Sequence, residues 1–157
     1  MKIQLPSLSE KIKITKYKKK YADDTIAMWR ESKEKAIGQK DAHSFLEHKN
    51  YFDKVVGEKK YDVYIALAGK KIIGMIAFTV SEVNQLYIHN DHQGKGLGKK
   101  LLDMAKNKSS GTLVLFTFEV NQKAQKFYER NGFKKIGESA INQENLNAFK
   151  YEWVKEN

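Results

Sequence analysis

Around residue 94 the chain changes its hydrophobic period. Val83 to His89 alternates as a strand does, whereas from Gly94 onward Leu97, Leu101, Leu102 and Ala105 recur at helical spacing, with Lys95, Lys99 and Lys106 off that face. The change falls within His89-Asn90-Asp91-His92-Gln93-Gly94-Lys95-Gly96-Leu97-Gly98-Lys99-Lys100: a strand end, a glycine-rich turn and a helix start. A chain that passes directly from strand to amphipathic helix fits neither an all-α nor an all-β domain. Glycine in a helix interior costs about 1 kcal/mol against alanine, so three glycines at a helix start need a physical reason. Backbone access supplies one: bare amides of the first helical turn can close on an anion, and the positive end of the helix dipole adds to the attraction.

The rest of the chain reads as elements around that turn. Ile12 to Tyr17 alternates as a strand, and Asp23 or Asp24 is placed to cap a helix carrying Ile26, Met28, Trp29 and Ala36 up to Gly38. A second helix follows Asp41, with Phe45, Leu46, Tyr51 and Phe52 as its apolar residues. Val63 to Ala68, a turn at Gly69-Lys70 and Ile72 to Val80 read as a hairpin. After the glycine turn and its helix, Thr112 to Val120 suits a central strand, and Asn121 caps a helix carrying Ala124, Phe127 and Tyr128 that stops at Asn131-Gly132. Strands at about Phe133 to Gly137 and Asn147 to Val154 finish the pattern, giving a mixed α/β sheet covered by helices. Neither a repeat nor a linker divides the 157 residues, so one domain over 1–157 is expected.

Composition removes several chemistries. With no cysteine, there is no disulfide framework, no cysteine-ligated metal and no thiol nucleophile. His43 and His48 do not share a helical face, and His89 and His92 flank a turn with no third ligand, so no metal site is expected. No stretch reaches the roughly 20 apolar residues of a membrane span, and Met1 to Glu10 lacks the apolar core of a secretory signal, so a cytoplasmic location is expected. The net charge of +10 is concentrated in residues 1–20, at +6, and 93–111, at +4. In the first of these, Lys alternates with Ile12, Ile14 and Tyr17, the pattern of a solvated strand face. With Arg30 and Arg130 as the only arginines, nucleic acid is not an expected partner.

The anion can be narrowed. A P-loop of the Walker type requires Ser or Thr after Gly-Lys, and Gly98-Lys99 is followed by Lys100. The dinucleotide fingerprint finds its first two glycines here, but its third falls on Lys99 or Leu101. What Gln93-Gly94-Lys95-Gly96-Leu97-Gly98 does resemble is the Gln/Arg-x-x-Gly-x-Gly/Ala signature of the GNAT superfamily of acyl-CoA-dependent N-acyltransferases. Asn121-Gln122-Lys123-Ala124-Gln125-Lys126-Phe127-Tyr128-Glu129-Arg130-Asn131-Gly132-Phe133 resembles that family's segment after its fifth strand. The resemblance runs from about Ile12 to Val154. It is weakest over Asp23 to Lys60, where such enzymes build acceptor specificity.

The resemblance implies an α/β (α+β) acyl-CoA N-acyltransferase fold, with a mixed, mostly antiparallel sheet of six to seven strands flanked by helices. It implies acetyl-CoA as co-substrate, with its pyrophosphate on Gln93, Gly94, Lys95, Gly96, Leu97, Gly98 and Lys99. Its pantetheine arm would lie along the backbone of Leu86, Tyr87 and Ile88, and Asn121 would stand near the coenzyme. Tyr128 matches the general-acid tyrosine of the family. Glu82, eleven positions before Gln93, matches the fourth-strand glutamate that serves some members as base; Asn84, where many relatives carry Glu, cannot take a proton, and Glu119 is the other carboxylate candidate. Strand alternation puts Glu82, Asn84, Leu86 and Ile88 on one face and Val83, Gln85, Tyr87 and His89 on the other. Trp29, Arg30, Ser32, Phe45 and Tyr51 are candidates for an acceptor pocket or for the core.

The reaction implied is direct transfer of acetyl from acetyl-CoA to the primary amine of a small molecule or peptide. An acyl-CoA-binding module without catalysis is the alternative, and homodimerisation is left open.

Overall fold

A computed structural model describes residues 11–58, 60–139 and 144–157. Met1 to Glu10, read above for a secretory signal, lies outside the described residues. In chain order the elements are β1 (Ile12–Lys16), α1 (Ala22–Ile37), α2 (Phe45–Gly57), β2 (Asp62–Ala68), β3 (Lys71–Phe78), β4 (Val83–Ile88), α3 (Leu97–Lys108), β5 (Thr112–Phe118), α4 (Gln122–Arg130), β6 (Lys134–Ser139) and β7 (Ala148–Val154). The expected α/β class holds. Seven strands form two antiparallel sheets, β1-β2-β3-β4 and β5-β7-β6.

Among the described residues one β-bridge joins the two sheets. A parallel bridge pairs Glu82 with Val114, and the Val114 amide donates to Ser81 O at 3.0 Å. Among the described residues no further bridge joins β4 to β5, so the strands meet at their starts and part toward their ends. β5 is therefore a seam strand: it ladders only with β7 and offers its other edge to the gap.

Two apolar clusters lie on opposite faces of β2–β4. Ile26, Met28 and Trp29 of α1 and Phe52 of α2 pack with Ile65, Met75 and Ala77 on one. Leu97, Leu101, Leu102 and Ala105 of α3 pack with Ile76, Phe78, Leu113, Tyr128 and Tyr151 on the other. The stripe Leu97-Leu101-Leu102-Ala105 read from the sequence is thus the buried face of α3.

Three local expectations change. Tyr21, without a side-chain bond, precedes α1, and Asp23 and Asp24 lie inside its first turn, where negative charge suits the dipole. Ahead of α2, Ser44 and Glu47 form a reciprocal capping box: Glu47 N–H donates to Ser44 Oγ at 3.1 Å, and Ser44 N–H to Glu47 Oε1 at 3.3 Å. Phe45 and Leu46 remain exposed, so neither Phe45 nor Leu46 serves the core.

Candidate active site

The carboxyl end of β4 runs into a short 3-10 turn at Asn90–His92 and then into α3. Gly94 and Gly96 have φ of 77° and 87°, a region that side chains disfavour, and a Cβ at either would meet nothing within 4 Å. The turn therefore presents bare backbone to open space. The first helical bond of α3 runs from Lys100 N–H to Gly96 O at 3.1 Å, so the amides of Leu97, Gly98 and Lys99 have no acceptor within the helix. Gly98 matters for packing instead, since a Cβ there would lie 3.2 Å from the Phe127 ring and its absence lets α3 and α4 close together.

A cavity of about 700 Å³ opens over this turn, between the carboxyl end of β4 and α4. Leu86, Tyr87, Ile88, Gln93, Gly94, Gly96, Gly98, Lys99, Asn121 and Tyr128, all singled out in the sequence, line it. Lys95 is exposed outside the lining, and the Leu97 side chain is buried in the core, leaving only its amide for a ligand. Gln93 turns inward: its Nε2 donates to Ile88 O at 3.0 Å, and its Oε1 accepts from Lys123 Nζ at 2.8 Å. Lys123, Arg130 and Lys35 add cationic side chains to the wall, and none of them was among the candidates read from the sequence. Lys123 stands in the motif that begins at Asn121, but nothing in that spacing announces a bond to a residue 30 positions away. Lys99 is tied to Asp103 at 2.7 Å.

Asn121 caps α4 as expected, its Oδ1 accepting from Ala124 N–H at 3.2 Å. Further along α4, Tyr128 is buried between Phe127, Phe133 and Tyr151, with ring centroids 5.2, 5.6 and 6.5 Å away. Its hydroxyl takes no hydrogen bond among the described residues, and it borders both the large cavity and a smaller one between β4 and β5. Burial alone pushes its phenol above the ordinary range, so it stays protonated.

β4 corrects the assignment of faces. The ladder with β3 slips between Ala77↔Gln85 and Phe78↔Val83, so Asn84 is an extra residue, a β-bulge. Perfect alternation would have put Glu82 and Asn84 with Leu86 and Ile88, and Val83 with Gln85 and Tyr87. Instead Val83, Leu86 and Ile88 face the α3 cluster, and Tyr87 faces Trp29 on the α1 side. Glu82 and Asn84 reach that same side. Glu82 Oε1 accepts from Tyr61 OH at 2.7 Å, Asn84 Oδ1 accepts from Tyr51 OH, and Asn84 Nδ2 lies 3.5 Å from Tyr61 OH.

Burial, then the hydrogen bond to Glu82 and its charge, push the Tyr61 phenol up to about 12. Glu119 lies past β5, its carboxylate accepting from Asn147 Nδ2 at 3.1 Å. Of the acceptor-pocket candidates, Trp29 is core, Phe45 is exposed, Ser32 lines the large cavity, Arg30 buries its Nε with no hydrogen-bond partner among the described residues, and Tyr51 joins Asn84.

Residues 59–135, which hold β2 to α4, match the family model of the Acetyltransferase (GNAT) domain. This segment is a GNAT acetyltransferase domain. The motif resemblance and the family match thus agree on the same stretch of chain.

Peptidyl-lysine N-acetyltransferase YjaB of Salmonella typhimurium is 26% identical over 135 residues, 83% of this chain and 88% of that relative. N-acetylaspartate synthetase of Xenopus tropicalis is 31% identical over 84 residues, 47% of this chain, and the aligned part spans only 31% of that relative. Among solved structures, the PaiA N-acetyltransferase of Thermoplasma acidophilum in complex with coenzyme A superposes with a TM-score of 0.65 at 21% identity, covering 92% of this chain and 99% of that one. The GNAT fold thus extends beyond the matched segment. No described helix is long and apolar enough to cross a membrane, and no cluster of three or more His, Asp or Glu able to hold a metal is found among the described residues.

Proposed function

We propose that the chain transfers an acetyl group from acetyl-CoA to the primary amine of a small molecule or peptide, directly and without a covalent enzyme intermediate. The observation that carries this is the opening between β4 and β5, with bare amides at one end and a protonated tyrosine along its wall. The donor set fits acetyl-CoA. The free amides of Leu97, Gly98 and Lys99, with the open glycines 94 and 96 and the cations Lys99 and Lys123, suit a pyrophosphate. The free edges of β4 and β5 suit the two amides of a pantetheine arm. A relative in fold is known in complex with coenzyme A, and two relatives in sequence carry amine-acetylating names.

The chemistry then follows from charge. An alkyl amine with a pKa near 10 is protonated at neutral pH and must lose a proton before or during attack on the thioester carbonyl. Glu82, held by Tyr61 on the acceptor face, is the carboxylate assigned to accept it, directly or through water. A β4 amide near Tyr87 donates to the oxyanion as the carbonyl becomes tetrahedral, a contribution of roughly 3 to 4 kcal/mol in comparable sites. As the C–S bond breaks, Tyr128 O–H donates to the departing sulfur, and the products are an amide and free thiol.

The test is thermal unfolding with and without acetyl-CoA, followed by thiol release across amines and peptides. Saturation at a hundred times the dissociation constant stabilises the fold by about 2.7 kcal/mol. A shift accompanied by thiol release supports the enzyme, a shift without release supports the binding module, and the absence of a shift refutes the coenzyme site.

A further inference from the structure

We propose that the outer edge of β1 is a docking strand for an extended acidic segment of a partner protein, which joins the sheet β1-β2-β3-β4 as a further strand. No residue of β1 lines the cavity proposed for acetyl-CoA, and the proposal does not depend on the reaction.

Among the described residues β1 ladders with β2 alone, so its other side is an open edge. Which residues serve that edge follows from the register. Just past β1, Tyr17 N–H donates to Val63 O at 2.9 Å, and Lys18 is still extended, with φ −132° and ψ 152°. Bonded and non-bonded pairs alternate along an antiparallel ladder, so Tyr17, Thr15 and Lys13 turn their main-chain groups toward β2. Ile12, Ile14 and Lys16 turn theirs outward. A row of such N–H and C=O groups is what an incoming strand pairs with.

The side chains beside the edge decide which strand can pair. Lysine fills six of the ten positions from Lys11 to Lys20, all six are exposed, and no Asp or Glu stands among them. Alternation puts Lys11 and Lys13 on the α1 side with Tyr17, and Ile12, Ile14 and Lys16 on the α3 side, where Ile14 packs on the core. Lys16 lies opposite Tyr64, whose hydroxyl accepts from Lys108 Nζ at 2.7 Å, and the exposed Lys71 lies opposite Ala68, the partner of Ile12. Asp62 stands near Lys108, and Asp23 and Asp53 near Tyr17. The lysine ion pairs among the described residues are made by Lys33, Lys49, Lys99 and Lys135, and by none of these six.

One well-placed lysine keeps an edge strand from pairing with its like. Six, continuing into the 3-10 turn Lys19–Tyr21 where there is no edge to guard, repel one another and call for a matching anion. In an added strand, acidic side chains at alternate positions meet Lys11 and Lys13, and β-branched ones between them meet Ile14 and Ile12, which is 40% exposed. Nucleic acid fits less well. Lys11 to Lys20 has no arginine, and its one ring, Tyr17, is buried and stacked on Phe52 at 4.9 Å, so nothing there stacks on a base.

Fluorescence anisotropy with the full chain tests this, using a labelled, end-capped peptide of alternating Glu and Val. One counterpart carries Gln for Glu, and another has every peptide nitrogen methylated. The acidic peptide is expected to bind at least about tenfold more tightly than either, since the first lacks the charge and the second the main-chain donors. Equal binding of the Gln peptide would overturn the choice of an acidic partner, and equal binding of the methylated one would overturn strand addition. An oligonucleotide or a phosphatidylserine vesicle that binds more tightly than the acidic peptide would overturn the proposal in favour of that partner.

Two variants place the site. Lys13→Glu with Lys16→Glu reverses the charge, and Ile14→Pro removes an outward N–H while leaving every lysine. Each should weaken the acidic peptide at least about tenfold. If Ile14→Pro does not fold by circular dichroism, the double variant and the methylated peptide decide. Wild-type affinity in the double variant would overturn the site.

Discussion

Replacing Lys33 with methionine keeps the stem and removes the charge that Asp41 and Glu144 share. Both carboxylates are almost wholly out of solvent, at 0% and 7% side-chain exposure, and Lys33 itself is 8% exposed, so water cannot step in for the ammonium. Asp41 would keep His48 and the His43 amide at 2.9 Å, whereas Lys33 is the side chain that holds the Glu144 carboxylate. Removing one partner of a buried ion pair costs about 3 to 5 kcal/mol, a large part of the roughly 5 to 15 kcal/mol that holds a domain together. At about 2 to 4 °C per kcal/mol for a chain of this size, melting should fall by about 6 to 20 °C.

The deficit should depend on pH in a defined direction. In the native protein Asp41 is held below the usual carboxylate range, with the His43 amide and Lys33 among the groups that lower it, so its contribution is complete above about pH 4 and is lost as pH falls through its folded pKa. Without Lys33 the folded Asp41 carboxylate loses one of the charges that lower its pKa and takes up a proton more readily than in wild type, so the gap to wild type narrows as pH falls into the carboxylate range. Urea unfolding at pH 7 and about pH 4 reads both effects. A loss under about 1 kcal/mol, or a gap independent of pH, would refute the account of an unsolvated, shared cation.

Three further outcomes are expected. Gly96→Glu puts a side chain at φ 87° and a negative charge at the amide cradle, so acetyl-CoA should no longer raise the melting temperature; an unchanged shift would remove the pyrophosphate from this turn. Tyr128→Phe should slow thiol release about 10² to 10⁴-fold at unchanged acetyl-CoA affinity, and equal rates would return Tyr128 to packing alone. Because His48 has a folded pKa below the unfolded value of about 6.5, the unfolded chain binds its proton first. Stability should therefore decline as pH drops from 7 through 6, a slope that His48→Gln should reduce in urea titrations at those two values.

The strand and helix spans came from local periodicity, and they hold to within a few residues because side-chain alternation and helical spacing are properties of neighbouring residues. The glycine turn was legible for the same reason. Whatever ligand it meets, bare amides at a helix start are decided by which residues sit there, as is the Asn121 cap three residues before the amide it accepts.

Other features depend on partners far away in the chain. The bulge at Asn84 exists because β4 pairs with β3 out of simple register, and it moves Glu82 and Asn84 to the face that alternation assigned to Tyr87. Lys33 and Glu144 meet across 111 positions, and Gln93 and Lys123 across 30. The sequence by itself thus determined the α/β elements and the anion-ready helix start. Only the tertiary structure decided where the strands part, which face carries Glu82 and Asn84 and which lysines close the site, because register and charge pairing are set by contacts that no local period encodes.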